Sequence, residues 1–180
     1  DGVTRIDFSN NMASLIHGHA YPPIVEAVTE QLQRGSAFMM ATECEVAHAE
    51  HMCSRSSGFE RIRFMNSGTE AVMVSIKAAR AFTGRPRIAK VEGAYHGGYD
   101  YAEVSQAPNP DTWGSLERPN SVPLAHGTPD SALNDVLILP FNDIERSLAI
   151  LEAHASEIAG VLLDLMPHRV GLNPVEPEYL

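Results

Sequence analysis

Three short polar stretches in this chain carry residue types able to do chemistry together. The first is Asn66-Ser67-Gly68-Thr69-Glu70-Ala71. Ser67 and Glu70 have the S-x-x-E spacing of a capping box, which satisfies backbone donors where a helix begins. A helix start leaves N–H groups unpaired and carries the positive end of the helix dipole. Gly68 lets a ligand approach the backbone, and the hydroxyls of Ser67 and Thr69 add two donors. The stretch therefore reads either as a phosphate site or as an ordinary capped helix. The second stretch is Tyr95-His96-Gly97, where Tyr95 is either a stacking platform for a planar ring or a loop tyrosine packed on a sheet edge. The third is Asp164 and the segment after it. A phosphate on the first and an aromatic ring on the second describe a site for a phosphorylated planar cofactor.

The elements around these stretches place them at one edge of a sheet. Ile62–Met65 reads as a short buried strand before the first turn, and a helix runs from about Thr69 to Phe82, ended by Gly84 and Pro86. Arg87–Val91 is a strand, and Gly93–Gly98 a loop. Val136–Pro140 and Gly160–Asp164 are apolar runs of the kind buried on both faces of a parallel sheet. Asn142 to Glu145 opens a helix reaching about Ser156, and Pro177 starts another. Ser105 to Asp135 is rich in Pro, Asn, Ser and Gly, a loop length that points to function or mobility. Upstream, Arg5–Phe8 alternates as a strand does. Pro22-Pro23 opens a helix to about Gln33, and Thr42-x-x-Glu45 caps another. Strands alternating with amphipathic helices imply an α/β fold with a mostly parallel sheet and helices on both faces. In such folds ligands bind beyond the carboxyl ends of the strands, where all three polar stretches fall.

Composition narrows the function classes. The formal net charge of −10 argues against nucleic acid or an anionic membrane as partner. No apolar run approaches the roughly 18 residues of a membrane span. Residues 1–5 lack the basic start and apolar core of a signal peptide. Cys44 and Cys53 match no metal or redox spacing and read as the reduced thiols of a cytoplasmic protein. His48 and His51 lie three apart on a helix without an obvious third ligand, so no metal is assigned. There is no G-x-x-x-x-G-K-[ST], no G-x-G-x-x-G after a strand and no G-x-S-x-G.

Five segments in order resemble the class III pyridoxal-phosphate aminotransferases, in the branch that includes glutamate-1-semialdehyde aminomutase. They are Gly18-His19-Ala20-Tyr21-Pro22, residues 66–71, residues 77–85, residues 94–100 and Leu139-Pro140-Phe141-Asn142-Asp143. The resemblance implies a fold-type I transferase using pyridoxal 5'-phosphate. Residues 1–42 would form an N-terminal segment of strand, loop and helix in the small-domain or interface part. Residues 43–180 would form the N-terminal part of the cofactor-binding large domain. It also implies that Ser67, Gly68 and Thr69 hold the phosphate and that Tyr95 stacks on the pyridine ring with His96 beside it. Asp164 stands where the family usually has Glu followed by Pro, and here Leu165 follows. Arg169 falls near a position where aminomutases often carry Asn.

Substrate hints come from two departures. Asn10-Asn11-Met12-Ala13-Ser14 stands where aminomutases resemble G-S-W-G-P, so Met12 replaces an aromatic residue in the substrate region. Leu165 to Leu172 has the pattern L-M-P-x-R-x-G-L, resembling aminotransferases that act on β-amino acids such as β-phenylalanine, with Arg169 as a carboxylate partner. The implied activity is transfer of an amino group from an amino acid to a 2-oxo acid. The alternatives are the aminomutase and a truncated or degenerate phosphate-binding domain without catalysis. This chemistry needs a lysine, and only Lys77 and Lys90 are present. Lys77 reads as a solvated helix residue, and Lys90 aligns with no Schiff-base lysine. The family's lysine, and the Asp that pairs with the pyridine nitrogen, would follow residue 180 in a longer, homodimeric enzyme.

Overall fold

A computed structural model describes residues 2–180, which form two compact units that divide between Arg63 and Phe64. In the first unit, helices span Pro22–Arg34 and Glu43–Arg55. Pro22 and Pro23 occupy positions where a helix lacks N–H partners anyway. Thr42 caps the second helix by accepting the Glu45 N–H at 3.2 Å. Arg5–Phe8 forms no strand. Asp7 ends the extended run, because its Oδ1 accepts the N–H groups of Ser9 and Asn10, both at 2.9 Å. Asn10 through Ala13 then turn with positive φ throughout.

The second unit is built on a three-stranded parallel sheet of order β2-β1-β3, with β1 Arg87–Val91, β2 Val136–Leu139 and β3 Ile158–Leu162. The central strand is the most deeply buried, and Lys90 sits in register with Ile138 on one side and Leu162 on the other. The Gly68–Thr83 helix packs on β3, where Ala79 faces Gly160, and the Ile144–Ala153 helix packs on β2. Val104, Val136 and Ile138 form the core cluster.

Four further expectations are corrected. Ile62–Met65 belongs to no strand among the described residues, since an apolar run alone cannot distinguish a paired strand from a lead-in. The last strand ends at Leu162, not Asp164, and is half-buried, because β1 fixes its register and nothing else described lies beyond it. Asp164 therefore stands clear of the ladder. The 105–135 stretch is tied down and contains a helical turn at Asp130–Asn134. Ser105 Oγ donates to Asn120 O at 2.8 Å, and Ser121 Oγ donates to Val136 O at 2.6 Å. Pro177–Tyr179 is a 3-10 turn, with the Tyr179 hydroxyl donating to Pro140 O at 3.0 Å.

Candidate functional site

Ser67 has extended backbone (φ −151°) and caps the Gly68–Thr83 helix: its Oγ accepts the Glu70 N–H at 3.2 Å. Its hydroxyl also donates to Glu70 Oε2 at 3.3 Å. The N–H groups of Gly68 and Thr69 find no acceptor among the described residues. These are the donors that a 16-residue helix presents at its positive end. A Cβ built on Gly68 would meet nothing within 4 Å, so the approach to these donors is open.

The loop after β1 is pressed onto this helix start. Gly98 N–H donates to Thr69 Oγ1 at 3.0 Å. Gly97 has φ +90°, and a Cβ there would come within 2.8 Å of Thr69 Cα. Only glycine fits such an approach. Tyr95 is 45% exposed and meets His168 edge-on, with ring centroids 5.8 Å apart. His96 is half-buried, and its Nε2 is buried without a hydrogen-bond partner. Burial, reinforced by the Lys90 charge and opposed by Asp164, pushes the imidazole down to about 4. It is therefore neutral at pH 7. Asp164 is half-buried and accepts the Met166 N–H at 3.0 Å.

The three polar stretches thus meet at the carboxyl end of the sheet. Arg169 is exposed and lines a separate cavity of about 360 Å³ with Glu92, Gln106, Trp113 and Phe141. That cavity adjoins the loop through Val170, which fills the space over Gly93. Met12 belongs to the first unit and is 94% exposed. The residue that sequence reasoning undervalued is Lys90. It is fully buried and donates to Ala94 O at 3.1 Å and to Val104 O at 2.7 Å. A lysine flanked by Ala89 and Val91 in a run otherwise buried on both faces was the available signal.

His96 gives the full-length protein a measurable pH response. The unfolded imidazole titrates near 6.5 and the folded one near 4, so the unfolded state binds the extra proton between these values. Stability contributed by His96 is complete above pH 6.5 and is lost as pH falls through about 4. The limit is about 3 kcal/mol from the shift. Thermal unfolding between pH 4 and 7 should show this slope, and His96→Gln should flatten it. An unchanged slope in the variant would refute the assignment.

The family model for class-III aminotransferases matches residues 1–180. The chain belongs to that family. A glutamate-1-semialdehyde 2,1-aminomutase of Methanothermobacter thermautotrophicus is 39% identical over 178 residues, 99% of this chain and 40% of that protein. The fold also matches an omega-transaminase from Sphaerobacter thermophilus at 51% identity and TM-score 0.89, covering 97% of this chain and 40% of the other. A β-phenylalanine aminotransferase from Variovorax paradoxus matches at 32% identity and TM-score 0.73, covering 96% and 35%. The chain spans about 40% of the length of the curated relatives it matches. The architecture is that of the fold-type I transaminases, of which these residues form a part.

Proposed function

We propose that the full-length protein is a pyridoxal-phosphate-dependent aminotransferase that moves an amino group from an amino acid, with β-amino acids as the donor class, to a 2-oxo acid. One observation carries this reading: the Gly98 N–H to Thr69 Oγ1 bond. It joins an open helix start, suited to phosphate, to the loop that presents an exposed aromatic ring and a neutral imidazole. The unpartnered N–H groups of Gly68 and Thr69 and the orphaned His96 Nε2 fit such a cofactor.

In this reading the Ser67 and Thr69 hydroxyls and the Gly68 and Thr69 N–H groups hold the phosphate. Tyr95 covers one face of the pyridine ring. His96, being neutral, adds no positive charge beside the ring. Asp164 lies close enough to His96 to act on its charge, and its carboxylate favours a cationic neighbour. Pyridoxal phosphate, when bound, supplies an electron sink for the charge left by proton removal. Lys77 is exposed and the amine of Lys90 is engaged by two carbonyls, so the lysine that carries the cofactor belongs to the remainder of the full-length protein. Arg169 serves as carboxylate partner and Met12 shapes the substrate region. The same reading divides the chain at residues 1–42 and 43–180, pairs the enzyme as a homodimer with residues 10–43 near the interface, and places it in the cytoplasm. Among the described residues no helix is long and apolar enough to cross a membrane.

The test uses the full-length protein with added pyridoxal phosphate. Visible absorbance should appear, borohydride should abolish it, and one lysine should gain a pyridoxyl mass. With a β-amino acid and 2-oxoglutarate, glutamate should accumulate. Absence of cofactor uptake would overturn the enzyme reading. The aminomutase reading is favoured by the 39% identical relative; uptake without glutamate, but with turnover of glutamate semialdehyde, would establish it instead.

A further inference from the structure

Lys90 is the one buried cation of the second unit's core, and it faces no carboxylate at hydrogen-bond distance among the described residues. Its two partners are both backbone carbonyls, and they are ten residues apart. Ala94 O lies immediately before Tyr95, and Val104 O lies just past the helical turn Asp100–Glu103. The ammonium therefore bonds both ends of the segment bearing Tyr95, His96, Gly97 and Gly98. A second closure runs alongside it, with the Gly93 N–H donating to Ser105 O at 2.8 Å. Beyond these ties, the segment's link to the phosphate turn is the Gly98–Thr69 bond at 3.0 Å.

We infer that Lys90 is a positioning residue that clamps the 94–104 loop at both ends and so holds Tyr95 and His96 ready against the Ser67–Thr69 turn. The physical case rests on what a different residue would leave behind. A methionine would fill nearly the same volume, but the Ala94 and Val104 carbonyls would lose a charged donor in a site closed to water. Hydrogen bonds from a cation are about twice as strong as neutral ones, and a buried unpaired carbonyl is costly. The loop would have to open to hydrate those carbonyls. Burial lowers the Lys90 ammonium to about 8, and the nearby Glu92 opposes that fall, so the charged donor persists at pH 7. The position in the middle strand gives the clamp a rigid base, since both neighbouring strands fix the backbone at residue 90.

This inference deepens the cofactor reading and rests on it for one of its two readouts. In the full-length protein without cofactor, Lys90→Met should speed amide hydrogen exchange across residues 94–104 by about tenfold or more, while the Ile144–Ala153 helix stays within about twofold of wild type. With pyridoxal phosphate, its dissociation constant should rise by about tenfold, and the visible circular dichroism of the bound form should weaken. Ile76→Val, a core change on the Gly68–Thr83 helix that removes none of the loop's hydrogen bonds, should alter neither readout. Exchange at 94–104 that is unchanged in folded Lys90→Met, or that rises equally in the Ile144–Ala153 helix, would overturn the clamp. If Lys90→Met fails to fold, Lys90→Gln, which is shorter and uncharged, is judged by the same thresholds. A wild-type protein that takes up no cofactor would sink the cofactor reading and leave the exchange result to decide the clamp.

Discussion

Gly97→Val in the full-length protein should abolish retention of pyridoxal phosphate, lowering its affinity by about 100-fold or more, on the order of 3 kcal/mol. Two effects act in the same direction. The φ of +90° is unfavourable for a β-branched side chain whatever the space around it. The space is also absent: the first added carbon would lie 2.5 Å from Thr69 Oγ1 and 2.8 Å from Thr69 Cα. Thr69 Cα belongs to the backbone of the Gly68–Thr83 helix, which is packed on β3 and cannot withdraw cheaply. The loop must move instead, breaking the Gly98–Thr69 bond and carrying Tyr95 and His96 away from the helix start. Fluorescence or absorbance titration with pyridoxal phosphate measures the effect. Gly160→Ala is the fold control, because it lies on β3 outside the site and its added carbon would make only an ordinary 3.6 Å contact with Ala79 Cβ. Gly97→Val binding the cofactor within about threefold of wild type would remove the basis for joining the two stretches into one site.

What the sequence disclosed was what is local. The capping boxes at Thr42/Glu45 and Ser67/Glu70 depend on residues three apart, and both caps accept the backbone N–H the pattern implies. β1 has the expected limits because Arg87–Val91 is bounded by Pro86 on one side and Gly93 on the other. Ligation of the 67–69 turn to the 95–98 loop was legible only as a shared sheet end. The contact itself, Thr69 to Gly98, spans 29 residues and leaves no periodic trace. The same holds for Lys90, whose partners become visible only when the loop is folded back over the strand. Arg169 follows Pro167 in a 3-10 turn and lines the cavity beside Glu92, a placement that no local pattern discloses. The missing strand at Ile62–Met65 has the opposite origin. Its apolar run satisfied the pattern, but strand identity needs a hydrogen-bonding neighbour, and sequence cannot supply one.

Replacing both hydroxyls, Ser67→Ala with Thr69→Val, should separate phosphate binding from ring binding. Each hydroxyl has a structural duty: Ser67 caps the helix and Thr69 accepts the Gly98 N–H. Loss of the cap costs about 1 kcal/mol of stability. Gly98 is exposed, so its freed N–H can turn to water at little cost. The larger consequence concerns the ligand. A phosphate dianion at the helix start would lose two hydroxyl donors, and hydrogen bonds to a charged group contribute about 1.5–3 kcal/mol each. Affinity for pyridoxal phosphate should therefore fall by about 100-fold or more. Affinity for pyridoxal, which has the same ring and no phosphate, should change by less than about threefold, since Tyr95 and His96 are untouched. Titrating the full-length variant with both ligands decides the matter. If both weaken in parallel, the hydroxyls act only by holding the loop in place. If only the phosphorylated ligand weakens, the turn at Ser67–Thr69 is the phosphate site, and the open N–H groups of Gly68 and Thr69 account for the binding that remains.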